Sequence, residues 1–167
     1  YTLDRDFGVF GYWTLPMGPQ ELQVKGAFTT GDGRGASPSG PGMAYTGRLE
    51  WLPLGRFTNS GDYSEGDQEF EPKPKLSVAG TYSFNDRAYR TGGQLGSELY
   101  GERDMSTFIV DMVMKYQGWA LSSEYFDRRC DDQITTSADG MVRFVRAGTG
   151  VNTQLSKLFK SRYELEI

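Results

Sequence analysis

The chain has 167 residues, with 18 Lys and Arg against 22 Asp and Glu, no histidine and a net charge of −4. The acidic balance argues against a nucleic-acid binder held by a basic patch, and the lack of imidazole removes Ser-His-Asp and Cys-His catalysis and His-ligated zinc. One cysteine, Cys130, makes neither an internal disulfide nor a cysteine metal site, while 22 Gly, 10 Tyr, 10 Phe and 3 Trp suit strands with one apolar and one wet face.

Period-two alternation recurs in segments of about ten residues, and helical periodicity is nearly absent. The first segment, from Arg5 to Leu15, carries Phe7, Val9, Gly11, Trp13 and Leu15 on one face. The second sets Leu22, Val24, Gly26 and Phe28 opposite Gln23, Lys25 and Thr29, and the third sets Tyr45, Gly47, Leu49 and Trp51 opposite Thr46, Arg48 and Glu50. In the fourth, Leu76, Val78, Gly80, Tyr82 and Phe84 alternate with Lys75, Ser77, Ala79, Thr81 and Ser83. The fifth places Phe108, Val110, Met112, Met114 and Tyr116 against Thr107, Ile109, Asp111, Val113 and Lys115. The sixth has Trp119, Leu121, Ser123 and Tyr125 against Ser122, Glu124, Phe126 and Arg128. A seventh runs from about Gly150 to Phe159, and an eighth opens at Tyr163.

Short connections are expected at Pro16–Pro19, Gln117–Gly118 and Lys160–Arg162. Long Gly/Ser/Asp-rich ones are expected at about Gly31 to Met43, Asn85 to Asp104 and Arg129 to Gly140. The stretch from Gly55 to Pro74 falls where a short turn is due. This order predicts an all-β, antiparallel up-and-down meander. No run of about 18 apolar residues offers a membrane-spanning helix. The chain opens on Tyr1-Thr2-Leu3-Asp4-Arg5 and stops in mid-alternation at Tyr163–Ile167. It is read as one segment, residues 1–167, whose true ends lie elsewhere.

Alternation alone does not say which face is inside. A soluble barrel turns its apolar face inward, and a membrane barrel turns it toward lipid. Three features favour lipid. The polar face holds charges of both signs across many strands, which a water-filled lumen tolerates, although a soluble barrel's outer surface tolerates them equally. Trp13, Trp51, Phe84, Tyr116, Trp119 and Phe159 sit at strand ends, as interfacial aromatic girdles do. Strands of about ten residues match a tilted crossing of the hydrocarbon layer, whereas globular strands run nearer five or six.

The run Gly47-Arg48-Leu49-Glu50-Trp51-Leu52-Pro53-Leu54-Gly55-Arg56-Phe57 resembles a strand-to-turn signature of the phosphate-selective porin O and P family. The stretches Pro74–Phe84 and Asn152–Lys160, with Arg5-Asp6-Phe7-Gly8 near the start, resemble other strands of that family. The resemblance implies an outer-membrane barrel of about 16 strands, often trimeric, of which this chain would supply seven or eight. It also implies an anion path lined by arginines and lysines. Candidate lumen cations here are Lys25, Arg48, Lys75, Lys115 and Arg128, interleaved with Glu50, Asp111 and Glu124, and mixed signs point to weak selectivity.

Other chemistry is thin. The segment Asp62–Glu71 holds five acids and no base, which suggests a Ca²⁺ loop, but its spacing fits no calcium motif and it is read as a solvated loop. Gly31-Asp32-Gly33-Arg34-Gly35 does not lead into a helix, as a phosphate cradle must. Cys130 lies among Arg128, Arg129, Asp131 and Asp132 and is read as an incidental loop thiol. No pair of carboxylates is held at a hydrolytic separation, so no enzyme activity, cofactor or metal is expected. The expectation is a Gram-negative outer-membrane diffusion porin for small polar or anionic solutes, phosphate among them, in contact with lipid. It is expected to act as a homotrimer or within a larger envelope complex. The rivals are a soluble ligand-binding barrel with an apolar interior and a plugged structural barrel.

Overall fold

A computed structural model describes residues 6–31, 33 and 42–159. The alternating segments form strands β1 (Gly8–Met17), β2 (Gln20–Thr29), β3 (Ala44–Leu52), β4 (Lys75–Arg90), β5 (Glu98–Tyr116) and β6 (Trp119–Arg129). The short β7 (Ile134–Thr136) and β8 (Val142–Phe144) follow, then β9 (Gly148–Lys157). One antiparallel sheet of seven strands runs β1-β2-β3-β4-β5-β6-β9, and β7 and β8 make a separate hairpin. Among the described residues the sheet is open, because β1 and β9 each have one neighbour and do not pair with each other. The eighth strand expected at Tyr163 and most of the loop expected at Gly31 to Met43 lie outside the described residues.

Turn chemistry sets the register. Gly18 takes φ +66° ahead of Pro19, the order a type II′ hairpin asks for. Gln117 and Gly118 both take positive φ, as a type I′ turn requires. Because side chains alternate with period two, one register sorts all seven strands at once. Trp13, Val24, Leu49, Gly80, Val110, Tyr125 and Val151 line up on one face. Thr14, Gln23, Glu50, Ala79, Asp111, Glu124 and Asn152 line up on the other.

One expected loop turns out to be largely strand, and another contains a short one. β4 continues past Asn85 to Arg90 and β5 starts at Glu98, so the connection shrinks to residues 91–97. Pairing tolerates the polar sequence there through register shifts between Asn85 and Ala88 and between Ala88 and Arg90. The stretch from Arg129 to Gly140 contains β7 and the approach to β8. This hairpin lowers Val145 onto Ala88, Leu99 and Met105, a small apolar cluster at that end of the sheet.

Asp6 clasps the same end. Its carboxylate accepts from the Phe7 amide at 3.0 Å, the Gly31 amide at 2.8 Å, Gln94 Nε2 at 3.0 Å and the Thr30 hydroxyl. Burial opposes ionisation, but bonds from Thr30, Thr29 and the Gly31 and Phe7 amides outweigh it and hold this carboxyl below its ordinary range. A depressed carboxyl stabilises the fold above its unfolded pKa and loses that contribution as pH falls through the folded value. Asp6→Asn is therefore expected to cost about 1–3 kcal/mol at neutral pH. The difference from wild type should shrink to nothing in strong acid, as read from urea unfolding midpoints at a series of pH values.

Candidate functional site

The two faces of the sheet have opposite surroundings. The apolar face is open: Val9 is 72% exposed, Trp13 64% and Leu49 57%, and Tyr82, Met114 and Val151 are exposed as well. All three tryptophans lie on this face, and the rings of Phe28 and Tyr45 meet at a tilt with centroids 5.1 Å apart. Residues 53–74 fold across the charged face between β3 and β4. The solvated loop expected at Asp62–Glu71 is instead a strap packed on the sheet, with a 3-10 turn at Thr58–Tyr63 and Gly61, Asp67 and Glu71 buried.

Lys115 on β5 fixes this strap. Its side chain is 2% exposed, and its ammonium donates to the carbonyls of Gly61 at 2.5 Å and Ser64 at 2.7 Å. It also donates to the Gly66 carbonyl and to Ser64 Oγ at 3.1 Å. A buried ammonium needs such a collar, because losing water without replacement donors and acceptors costs several kcal/mol. Two buried carboxylates cap backbone amides in the same way. Asp67 accepts from the Gly118 amide at 2.6 Å and the Glu71 amide at 3.0 Å, and Glu71 accepts from the Thr58 amide at 2.5 Å. The Gln117 amide donates to the Glu71 carbonyl at 2.9 Å, and Lys75 Nζ to the Leu54 carbonyl at 3.1 Å. Phe57 and Leu52 are buried at the strap's base.

Beneath the strap the charges pair across strands. Glu50, 2% exposed, accepts from Lys25 Nζ at 2.7 Å, Ser77 Oγ at 3.0 Å and the Tyr63 hydroxyl at 3.2 Å. Arg48 grips Asp111 with two bonds, at 2.5 and 2.9 Å, and donates to Thr81 Oγ1 at 3.0 Å. That grip crosses the whole of β4, which is possible because β4 presents the small residues Ala79 and Thr81 on this face where the arginine passes. Lys25 and Arg48 are direct cross-strand partners, as are Asp111 and Glu124. Like charges placed so would repel without the diagonal acid-base pairs. Arg56 on the strap pairs with Glu21. Burial raises the Asp62 carboxyl above its ordinary range, and the Glu50 charge acts in the same direction.

Of the residues singled out from sequence, Lys25, Arg48, Glu50 and Asp111 form one network, and Lys115 is enclosed by the strap. Lys75 stands at the strap's exit. Arg128 lies apart, donating to Thr107 Oγ1 at 3.1 Å and the Gly92 carbonyl at 3.3 Å. Glu124 is half-buried and meets no cation among the described residues. Trp13, Trp51, Trp119 and Phe159 are exposed, whereas Phe84 and Tyr116 are partly covered. Sequence reasoning missed Tyr63, Asp67, Glu71 and Glu21. The available signal was a stretch of twenty residues, rich in acids, occupying the place of a short turn.

Two clefts flank Tyr63. One of about 170 Å³ is lined by Asp62, Glu65, Lys115, Ser122 and Gln154, and one of about 140 Å³ by Asp62, Glu21, Gln23, Arg56 and Phe57. The Lys115 ammonium is saturated by strap oxygens. No group of acids, Cys130 included, is arranged to hold a metal ion among the described residues. Burial pushes the Cys130 thiol up, away from the thiolate. No described helix is long and apolar enough to cross a membrane, which says nothing of strands. No family model, curated protein or solved structure matches the chain. The porin-like run at Gly47–Phe57 therefore stays a likeness of strand pattern and assigns no family.

Lys115→Met should leave three strap carbonyls without their donor and loosen residues 53–74 by about 2–4 kcal/mol. Limited proteolysis should then cut within the strap well before the sheet, whereas Lys75→Met, which loses one exposed contact, should leave cleavage near the wild-type rate.

Proposed function

We propose that this sheet is a stretch of the wall of an outer-membrane β-barrel channel, with its apolar face against lipid and its charged face toward a water-filled lumen. One observation carries the reading. The face rich in Val, Leu, Met, Trp and Tyr is the uncovered one, while the charged face is the one the chain folds back upon. A water-soluble sheet of this size would do the reverse, since burying apolar area is the main drive to fold and large exposed apolar patches mark contacts with another phase. The strap also weighs against the soluble ligand-binding barrel, because it occupies the face that would have to meet bulk solvent.

In a membrane every backbone amide and carbonyl needs a partner, so the free edges of β1 and β9 call for further strands. Seven antiparallel strands leave β1 and β9 running in the same direction. Antiparallel closure therefore takes an odd number of additional strands between them. In such a barrel the strap lies inside the lumen and narrows it, and permeation is by diffusion of small polar solutes past the Tyr63 ridge. The strap also favours a second reading, a barrel closed to solutes that serves as an anchor in the envelope.

Two measurements on the complete protein in bilayers decide. Brominated lipids should strongly quench tryptophan emission, because Trp13, Trp51 and Trp119 share the outward face. Planar-bilayer recordings should give discrete ohmic steps. Unquenched emission sinks the membrane reading, and quenching without steps favours the closed anchor.

A further inference from the structure

The charges of this wall separate into two sets with opposite totals. Up to the register shift after Asn85, the sheet's polar face sets the cations Lys25, Arg48, Lys75, Lys115 and Arg128 against the acids Glu21, Glu50, Asp111 and Glu124, five against four, a balance of one positive charge. The strap, residues 53–74, brings two cations, Arg56 and Lys73, and five acids, Asp62, Glu65, Asp67, Glu69 and Glu71, a balance of three negative charges. Strap and sheet together carry two net negative charges. We infer that the strap reverses the sign of the wall, so that the channel admits small cations in preference to anions. This rests on the pore reading and names its solute class.

Pairing sharpens the effect of the count. Lys25 is held by Glu50 at 2.7 Å, Arg48 by Asp111 at 2.5 Å and Arg56 by Glu21. Lys115 is enclosed by strap carbonyls, Arg128 donates to Thr107 and Gly92, and Lys75 donates to the Leu54 carbonyl, so that of the seven counted cations only Lys73, at the strap's exit, meets no acceptor among the described residues. A cation clasped within 3 Å of its counter-charge presents little more than a dipole to a passing anion. Glu65, exposed on the strap, and Glu124, on β6, meet no cation among the described residues, so their fields reach the lumen unopposed. Glu65 lines the larger cleft and Asp62 lines both, which puts acids on either side of the Tyr63 ridge. Low-dielectric walls concentrate such a field, and a ring of one sign raises the local concentration of counter-ions.

The test is the reversal potential of the complete protein in a planar bilayer under a KCl gradient. The expected result is ohmic steps with potassium more permeant than chloride, and a permeability ratio that rises when both solutions are diluted, because screening weakens. Glu65→Gln with Glu124→Gln should lower that ratio by about twofold or more, and Glu65→Lys with Glu124→Lys should carry it below one. Steps with chloride favoured, or with no preference at low salt, overturn the inference and leave the pore standing. An absence of steps from inserted protein overturns the pore and the inference with it. The dilution series needs no variant, so the outcome does not depend on whether the substituted proteins fold.

Discussion

An ammonium group taken out of water must find oxygens for its protons, and Lys115 finds them all in one loop. Three carbonyls and a hydroxyl from residues 61–66 surround it, on a side chain anchored in the longest strand of the sheet. Without that collar, buried Lys115 and the buried carboxylates of Asp67 and Glu71 would each be a large desolvation cost. With it, residues 53–74, which would otherwise hang from the sheet's end, become a strap. The covered charged face, the two clefts and the net charge on that face follow from where this strap lies.

The strap also gives the sheet a side. A meander with one apolar and one charged face has no intrinsic inside, because period-two alternation reads the same either way. Folding a polar segment across the charged face makes that face the sheltered one and leaves the tryptophans and aliphatics uncovered. Few apolar side chains are fully buried, and those that cluster sit at the far end, around Ala88, Leu99, Met105 and Val145. Such a sheet holds its shape through backbone ladders and polar clasps more than through an apolar core. Its open face and its two free edges are the places where the remaining stabilisation has to come from outside the described residues.

Electrostatic order on the charged face depends on what β4 leaves out. Strands β2 and β3 oppose Lys25 to Arg48, and β5 and β6 oppose Asp111 to Glu124, two arrangements that repel. Small residues at Ala79 and Thr81 let Arg48 span β4 to reach Asp111, and Glu50 gathers Lys25, Ser77 and Tyr63. The pairs are thus diagonal and cross-sheet, and they hold their side chains in place. Glu65 and Glu124 are left without a cation among the described residues.

The sequence by itself determined the strands, their antiparallel order and which residues share a face, because hydrophobic alternation and turn residues such as Gly18-Pro19 and Gln117-Gly118 are local signals. It also placed Lys25, Arg48, Glu50, Asp111 and Lys115 on one face. It misplaced what depends on distant partners. Asn85–Arg90 looks like loop because it is polar, yet pairing with β5 makes it strand, and the acidic run Asp62–Glu71 looks solvated because no local pattern records that Lys115 and Gly118 wait beneath it. Only the tertiary structure decided that the charges are mostly spent on one another and that the charged face is the covered one. Register is written every second residue along the chain, whereas a strap docked fifty residues away is held by single atoms whose meeting leaves no periodic trace.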